Sequence, residues 1–383
     1  MQRIYFDNAA TTQVLPEVIE GMLPYYGTHY GNPSSLHQEG QEAHLGINTA
    51  RMTMAKLLGA RTEDIIFTSG ATESTTMVLR GMAKALKHKG NHIITTQIEH
   101  SATRATCKAL EEEGYHVTYL APNEEGIITP QSVAEAIRPD TIMASIIFVQ
   151  NEIGTLQPIE AIGELLASHH IFFHTDAVQA FPFFPIHVDK AYLHAVSLSA
   201  HKFHGPKGTG ILFLRDTIAL PPLLHGGGQE FGLRSGTQNV PHIVGMGIAA
   251  AHCSEHREAH HAHCRILKEY TWGEIIKRLP QAQINGSLQQ SAPHMLNVTF
   301  PHCDSEALLI RLDLDGIAVS AGSACSSEKR TPSHVLTALG KTPEEAQSSI
   351  RISFAHTNTK EEVDYFLEKL VYHVSTMSYH HSA

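Results

Sequence analysis

The chain has 383 residues, 42% of them hydrophobic, and its 28 Lys+Arg stand against 38 Asp+Glu for a formal charge of −10. That length buries a sizeable core and leaves room for two structural units in one subunit, and the acidic balance lacks the dense basic stripe that a nucleic-acid partner demands. The longest uninterrupted apolar runs, such as "SIIFV" at 145–149, fall far short of the roughly 20 residues of a membrane helix.

The opening "MQRIYFDNAATT" has no long apolar core of the signal-peptide kind and reads straight into a strand. A cytoplasmic protein with neither nucleic-acid nor membrane partners is therefore expected. From about residue 60 to 215, short β-like runs alternate with helical patterns. "DIIFTSG" is followed by "ESTTMVLRGMAKALKHKG", then "NHIITTQIEH" by "SATRATCKALEEEG", and "TIMASIIFVQ", "AIGELLASHH", "IFFHTDAVQA", "AVSLSAHK" and "GTGILFLR" complete the series. Such alternation predicts a mainly parallel sheet covered on both faces, with ligands beyond the carboxyl ends of its strands. A long helical stretch follows between about Pro241 and Pro280, and "HMLNVTFPH", "EALLIRLDLDGIAVSAG" and "SSIRISFAH" suggest a smaller α+β unit. The closing helix "TKEEVDYFLEKLVYHV" carries a Thr cap and an acidic first turn. In "AHCSEHREAHHAHC", residues 251–264, a metal site competes with a solvated helix face joining the two units. The ligand spacings do not repeat elsewhere, so the solvated face is preferred and no metal is expected. Five widely spaced cysteines, Cys107, Cys253, Cys264, Cys303 and Cys325, argue for reduced thiols over a disulfide framework.

Polar clusters fall where strands end. "FTSGATES" passes from a strand through Gly70 into a helix. Its N–H groups at Ala71 and Thr72 and the Thr72 hydroxyl make either an anion site suited to phosphate or an ordinary capped turn. "HTDAVQA" offers Asp176 to hold a protonated ring nitrogen and Gln179 to donate to a ring oxygen, or merely a helix cap. "FVQNEIGT" offers Asn151 and Glu152, and "TQIEHSA" offers His100. In "SLSAHKFHGPKG", Lys202 stands beside Ser199 and His201. A lysine there can condense with an aldehyde cofactor while its neighbours take the cofactor's phosphate. Pyridoxal phosphate accounts for all five clusters together: Lys202 for the aldehyde, Asp176 for the ring nitrogen, Ala71, Thr72, Ser199 and His201 for the anion, and His100 as a flat group over the ring.

The ordered set "YFDNAATT", "YGNPSSLH", "FTSGATES", "IEHSA", "NEIGTLQPI", "HTDAVQA", "LSAHKFHGPKGTG", "RSGTQN" and "SAGSACSS" resembles the cysteine desulfurases of the nitrogen-fixation and iron–sulfur-cluster-assembly type, from Tyr5 to about Phe354. The resemblance implies an α/β protein of fold type I among pyridoxal-phosphate enzymes. In it, a large domain (12–255) has a mainly parallel seven-stranded sheet, and a smaller α+β domain (1–11 and 256–383) carries the catalytic cysteine. It further implies a homodimer, L-cysteine as substrate, L-alanine as product, and a sulfur-acceptor protein such as an iron–sulfur scaffold. Thr237 matches the family position that contacts the cofactor phosphate from the other subunit. Arg351 matches the anchor of the substrate carboxylate, with Asn32 and Asn151 nearby in role; a planar charged fork suits a bidentate carboxylate.

Cys325, in "SAGSACSSEKRTPSHV", is the expected persulfide carrier. Its Gly, Ala and Ser neighbours give little to bury and much backbone freedom, as in the long-loop subgroup of the family. No metal is expected beyond a cluster contact through Cys325. Lys202 and His100 are expected to move protons, His100 also touching the cofactor together with Asn151, Gln179 and the residues above. The chain departs from the family at Thr75, Thr76 and Gln150, where asparagines are usual; all three keep hydrogen-bonding ability. Two other readings compete: an aminotransferase or β-lyase using the same cofactor, which leaves Cys325 idle, and a sulfur-carrier scaffold, which leaves the cofactor residues idle. The 28 histidines have no explanation at this level.

Overall fold

In the computed structural model, which describes residues 3–215, 220–322 and 332–379, a short strand β1 (Ile4–Tyr5) precedes the seven strands of a central sheet: β2 (Ile65–Thr68), β3 (His92–Thr96), β4 (His116–Leu120), β5 (Thr141–Ser145), β6 (Phe172–Asp176), β7 (Ala195–Ser199) and β8 (Gly210–Leu214). Their order across the sheet is β2-β8-β7-β6-β5-β3-β4. Every neighbouring pair is parallel except those of β8, which runs antiparallel to both β2 and β7. Strands β3, β6, β7 and β8 are buried along their whole length, as expected of a sheet with helices on both faces. This is the mainly parallel seven-stranded sheet expected from the alternating pattern.

Polar ladders cross this interior, at His92, which meets Thr141 of β5 at 2.7 Å and Thr118 of β4 at 2.8 Å, and at His174. His174 of β6 reaches Ser145 Oγ of β5 at 2.8 Å and Ser197 Oγ of β7 at 2.9 Å, and burial pushes its pKa down to about 3. The neutral ring thus ties three adjacent strands together without a buried charge.

The second unit holds β9 (Gln283–Ile284), β10 (Met295–Thr299) and β12 (Ser349–Ser353) in an antiparallel sheet. Strand β11 (Ile317–Ala318) pairs parallel with β1. Its core gathers Ile4, Phe6, Leu296, Ile352, Phe354 and Phe366. The helix Val240–Arg278 runs unbroken for 39 residues and serves both cores, with Met246 in the large one and Leu267 in the small one. The division expected at 255/256 falls inside this helix. Residues 6–9 are sewn to β12: Asn8 Nδ2 donates to the Ser353 carbonyl at 3.0 Å, and Ser353 N to the Phe6 carbonyl at 2.7 Å. The closing helix, Lys360–Tyr379, is capped by Thr359, whose hydroxyl accepts from Glu362 N at 3.2 Å.

A buried ion pair supports the β2 edge. Arg51 donates to both carboxylate oxygens of Glu230 at 2.9 and 2.8 Å, and Glu230 also accepts from Phe67 N at 2.8 Å. Glu230 and Phe231 adopt φ of 48° and 58°, left-handed values that non-glycine residues keep only when the surroundings fix them.

Candidate active site

Five strand-to-turn junctions meet at the carboxyl edge of the sheet and enclose a cavity of about 420 Å³, lined among others by Thr72, His100, Asp176, Ser199, Lys202 and Arg351. Ala71, Asn151, Gln179 and His201 also line it. Of the residues expected at the site, those ten converge.

The anion end lies where β2 turns into the helix Ala71–Leu86. Gly70 caps that helix with φ of 153°, and Gly210 of β8 lies so close that a Cβ there would sit 2.8 Å from the Gly70 Cα and 2.5 Å from the Leu198 carbonyl. Lacking side chains at both positions, the turn packs onto the sheet and leaves the first N–H groups of the helix open toward the cavity. Glu73 locks the turn by accepting from Ser69 N at 2.7 Å and from Arg234 Nε at 2.9 Å. His201 Nδ1 sits 3.2 Å from the Thr11 hydroxyl. Burial, then Lys202 and Lys207, depress its pKa to about 4, so it meets an anion as a neutral partner.

Asp176 ends β6 and is 5% exposed. One oxygen accepts from Val178 N at 3.0 Å; the other has no hydrogen bond among the described residues. Burial pushes the carboxyl above its ordinary range, with His100, the Val178 N–H and Lys202 pulling the other way. A cationic N–H placed at that oxygen would reverse the effect. Gln179 is partly committed: its amide donates to the Ala9 carbonyl at 2.8 Å and its oxygen lies 3.3 Å from His294 Nε2. His100 caps the helix Ser101–Glu112, its Nδ1 accepting from Ala102 N at 3.2 Å. Glu99 beside it is fully buried, and burial pushes its pKa to about 8.

Lys202 follows β7 in a single 3-10 turn. Its Nζ is held at 2.6 and 2.7 Å by the carbonyls of Ala9 and Ala10. These backbone acceptors stand in "YFDNAATT" and are brought here from two sides: residues 6–9 attach to β12, and Thr12 N donates to the His201 carbonyl at 2.9 Å. Arg351 is 1% exposed. Its Nη1 donates to the Asn151 carbonyl at 2.8 Å and its Nη2 to Asp7 Oδ1 at 2.9 Å, and its buried Nε has no partner among the described residues. Of five guanidinium N–H donors, three are left for a ligand. Asp7 was missed by the sequence reading although it stands in "YFDNAATT", because its task becomes visible only once β12 lies alongside.

The lining fits pyridoxal phosphate: a part-paired buried carboxylate for a ring N–H, helix N–H groups for the phosphate, and a lysine amine between them.

Two expected residues are not brought to this cavity within one chain. Asn32 is exposed and accepts from Ser34 N at 3.0 Å. Thr237 is also exposed and away from the lining. Cys325 lies outside the described residues. The three departures have other work. Thr75 donates to Ser197 Oγ at 3.1 Å, extending the His174 ladder, and Thr76 meets the Thr106 hydroxyl at 3.3 Å. Gln150 donates to the Ile98 carbonyl at 3.0 Å and accepts from Ile153 N at 2.9 Å. None of the three lines the cavity.

The remaining cysteines, Cys107, Cys253, Cys264 and Cys303, are free and buried. Burial, first of all, pushes their thiols up to about 12, 11, 12 and 11, which leaves none of them as a nucleophile at neutral pH.

Residues 4–366 match the aminotransferase class-V family. The chain is 46% identical over 365 residues to the cysteine desulfurase IscS of Methanosarcina thermophila, covering 95% of this chain and 90% of that one. Among solved structures, a NifS-like protein superposes with a TM-score of 0.92 at 39% identity, covering 98% of this chain and all of that one. A structure of SspA in complex with cysteine superposes with a TM-score of 0.82 at 41% identity over 92% of this chain and 98% of that one.

Proposed function

Because the chain belongs to the aminotransferase class-V family, we infer that it is a pyridoxal-phosphate-dependent cysteine desulfurase, taking sulfur from L-cysteine and releasing L-alanine. The observation that carries this reading is the convergence of Lys202, Asp176, the Ala71–Thr72 helix start and Arg351 on one cavity.

When bound, pyridoxal phosphate supplies an aldehyde that captures an amino group and a ring that draws electrons from the adjacent carbon. With the cofactor bound, Lys202 would hold its aldehyde and would take and return the substrate α-proton. The Ala9 and Ala10 carbonyls aim its amine. Asp176 would hold a proton on the ring nitrogen, and Gln179 would offer its remaining amide N–H to the cofactor. His100 would serve as the flat group beside the ring and assist proton transfer. Ala71, Thr72, Ser199 and His201 would hold the phosphate. Arg351, oriented by Asp7 and the Asn151 carbonyl, grips the substrate carboxylate with its remaining donors, and Asn151 assists there, while Asn32 lies away from the cavity.

The Cys325 thiolate then bonds to the substrate sulfur as the Cβ–S bond breaks. The released electron pair stays on the substrate carbon, which is protonated to the methyl group of alanine, while the two sulfurs end as a persulfide. Reduction at carbon balances oxidation at sulfur, so no external reductant enters. The burial of the four other thiols supports Cys325 as carrier.

A second copy of the chain completes the site, bringing Thr237 to the phosphate; its exposure away from the cavity in one chain supports this. The two domains, 12–255 and 1–11 with 256–383, enclose the substrate between them. The persulfide sulfur passes to an acceptor protein such as an iron–sulfur scaffold. No helix among the described residues is long and apolar enough to cross a membrane, which accords with work in the cytoplasm. After brief exposure of the purified enzyme to L-cysteine, peptide mass spectrometry should find one added sulfur atom on the Cys325 peptide, with alanine released in proportion. Sulfur on any buried cysteine instead, or normal turnover by Cys325→Ser, would overturn the assignment.

A further inference from the structure

Away from the cofactor cavity, one face of the helix Val240–Arg278 is not the solvated surface expected for residues 251–264. His252, His256 and His260 recur every four residues, a spacing that aligns side chains along a helix. His356, from the turn after β12, lies flat on His260 with ring centroids 4.1 Å apart and planes 8° from parallel. His204, two residues beyond Lys202, meets the edge of His356 at 4.8 Å. His252 stands 5.8 Å from His260 and 6.2 Å from His356. Five imidazoles from three separate parts of the chain thus gather at one point, and packing alone gives no reason to choose polar rings for all of them.

We propose that His252, His260 and His356 form a binding site for one divalent late transition-metal ion, zinc foremost. One ring nitrogen from each residue lies within 4.8 Å of the others, and all three side chains are partly buried. Zinc bound to imidazole at 2.0–2.1 Å in tetrahedral geometry sets ligand nitrogens about 3.4 Å apart, so closing round an ion takes side-chain rotations of roughly 1–1.5 Å. His252 is prepared for this. Its Nδ1 lies 3.0 Å from a carboxylate oxygen of Glu17, and its Nε2 is buried without a hydrogen-bond partner. A carboxylate behind one imidazole nitrogen, with the other left open, is the arrangement that orients a metal-bound histidine. His260 and His356 form ring contacts but no hydrogen bonds among the described residues. His204 and His263 are engaged elsewhere, on the Gln13 carbonyl at 2.9 Å and the Asn358 carbonyl at 2.8 Å. An adjoining cavity of about 20 Å³, bordered by the three ligands, His204 and Lys202, has room for one water as fourth ligand. An all-imidazole set favours zinc, nickel or copper over magnesium or calcium.

The test uses tag-free holoenzyme carrying Cys325→Ser, which removes the one cysteine that the buried four do not represent. Titration with zinc chloride, followed by dialysis and metal analysis, should retain one equivalent per chain. His260→Ala and His356→Ala, made separately, should each weaken that binding at least ten-fold. A variant-free reading comes from cobalt(II) chloride: the bound ion should show the visible absorption of a low-coordinate nitrogen and oxygen site with no thiolate band. Retention well below one equivalent, binding in either alanine variant as tight as in the parent, or a thiolate band would overturn the proposal and leave the cluster as stacked rings only.

Discussion

Replacing Arg351 by lysine isolates the role of its guanidinium fork. In the structure two N–H groups are spent on Asp7 and the Asn151 carbonyl, and the buried Nε–H is among the three that remain. Lysine keeps the charge and one of the two fixed contacts, but as a point charge it cannot present two parallel donors to a carboxylate. Loss of one charge-assisted hydrogen bond costs about 1.5–3 kcal/mol, which at 1.36 kcal/mol per factor of ten raises KM for L-cysteine by about 13- to 160-fold. The change in kcat should stay within a few-fold, because the carboxylate is gripped throughout the reaction. Steady-state alanine release at saturating pyridoxal phosphate measures both constants, and the cofactor's absorption together with thermal unfolding shows that the site is still assembled. A KM within about three-fold of the parent, with absorption intact, would refute the reasoning: the free donors of Arg351 would not face the substrate.

Asp176→Asn should bind the cofactor yet lose most turnover, because a neutral amide cannot hold the proton on the ring nitrogen; normal turnover with a normal spectrum would assign that task to another acid. Glu99 gives a pH signature. Its folded pKa of about 8 lies above the ordinary 4.5, so the folded state keeps a proton that the unfolded state gives up. Stability is therefore full below about pH 4.5 and falls as pH rises toward 8, by up to ~1.4 kcal/mol per pH unit. Glu99→Gln keeps an oxygen for Thr96 and Ile147 N and should flatten denaturant midpoints across that window; an unchanged slope would show that Glu99 is not the group responsible.

The central sheet and half of the site are legible in sequence for one physical reason. Where a buried strand ends and a helix begins, the polar residues within three or four positions must lie at the same edge, so "FTSGATES", "HTDAVQA" and "LSAHK" place Thr72, Asp176 and Lys202 by local geometry alone. Contacts that depend on distant backbone are not legible. Asp7 meets Arg351 only because residues 6–9 are sewn to Ser353, and Ala9 and Ala10 meet Lys202 because Thr12 also docks on the His201 carbonyl. The histidine cluster was legible only in part for the same reason. The 251–264 segment raises a metal site, but its spacings do not repeat elsewhere, and His204 and His356, which complete the cluster, share no spacing with it. Arg51 and Glu230, 179 residues apart, carry no pattern that pairs them.

The stitching of the first residues to β12 also sets an order of events during synthesis. Asn8 finds Ser353 across 345 positions, so the beginning of the chain leaves the ribosome long before its partner exists. At 5–20 residues per second the wait is roughly 20–70 s. Once β7 has formed, Thr12 can dock on the His201 carbonyl and bring the carbonyls of Ala9 and Ala10 to Lys202, but Arg351 is not yet made, and the Asp7 carboxylate that orients it waits without a partner in β12. The cofactor can meet a folded large sheet before the substrate anchor exists, and competence arrives in one late step, when β12 closes over residues 6–9.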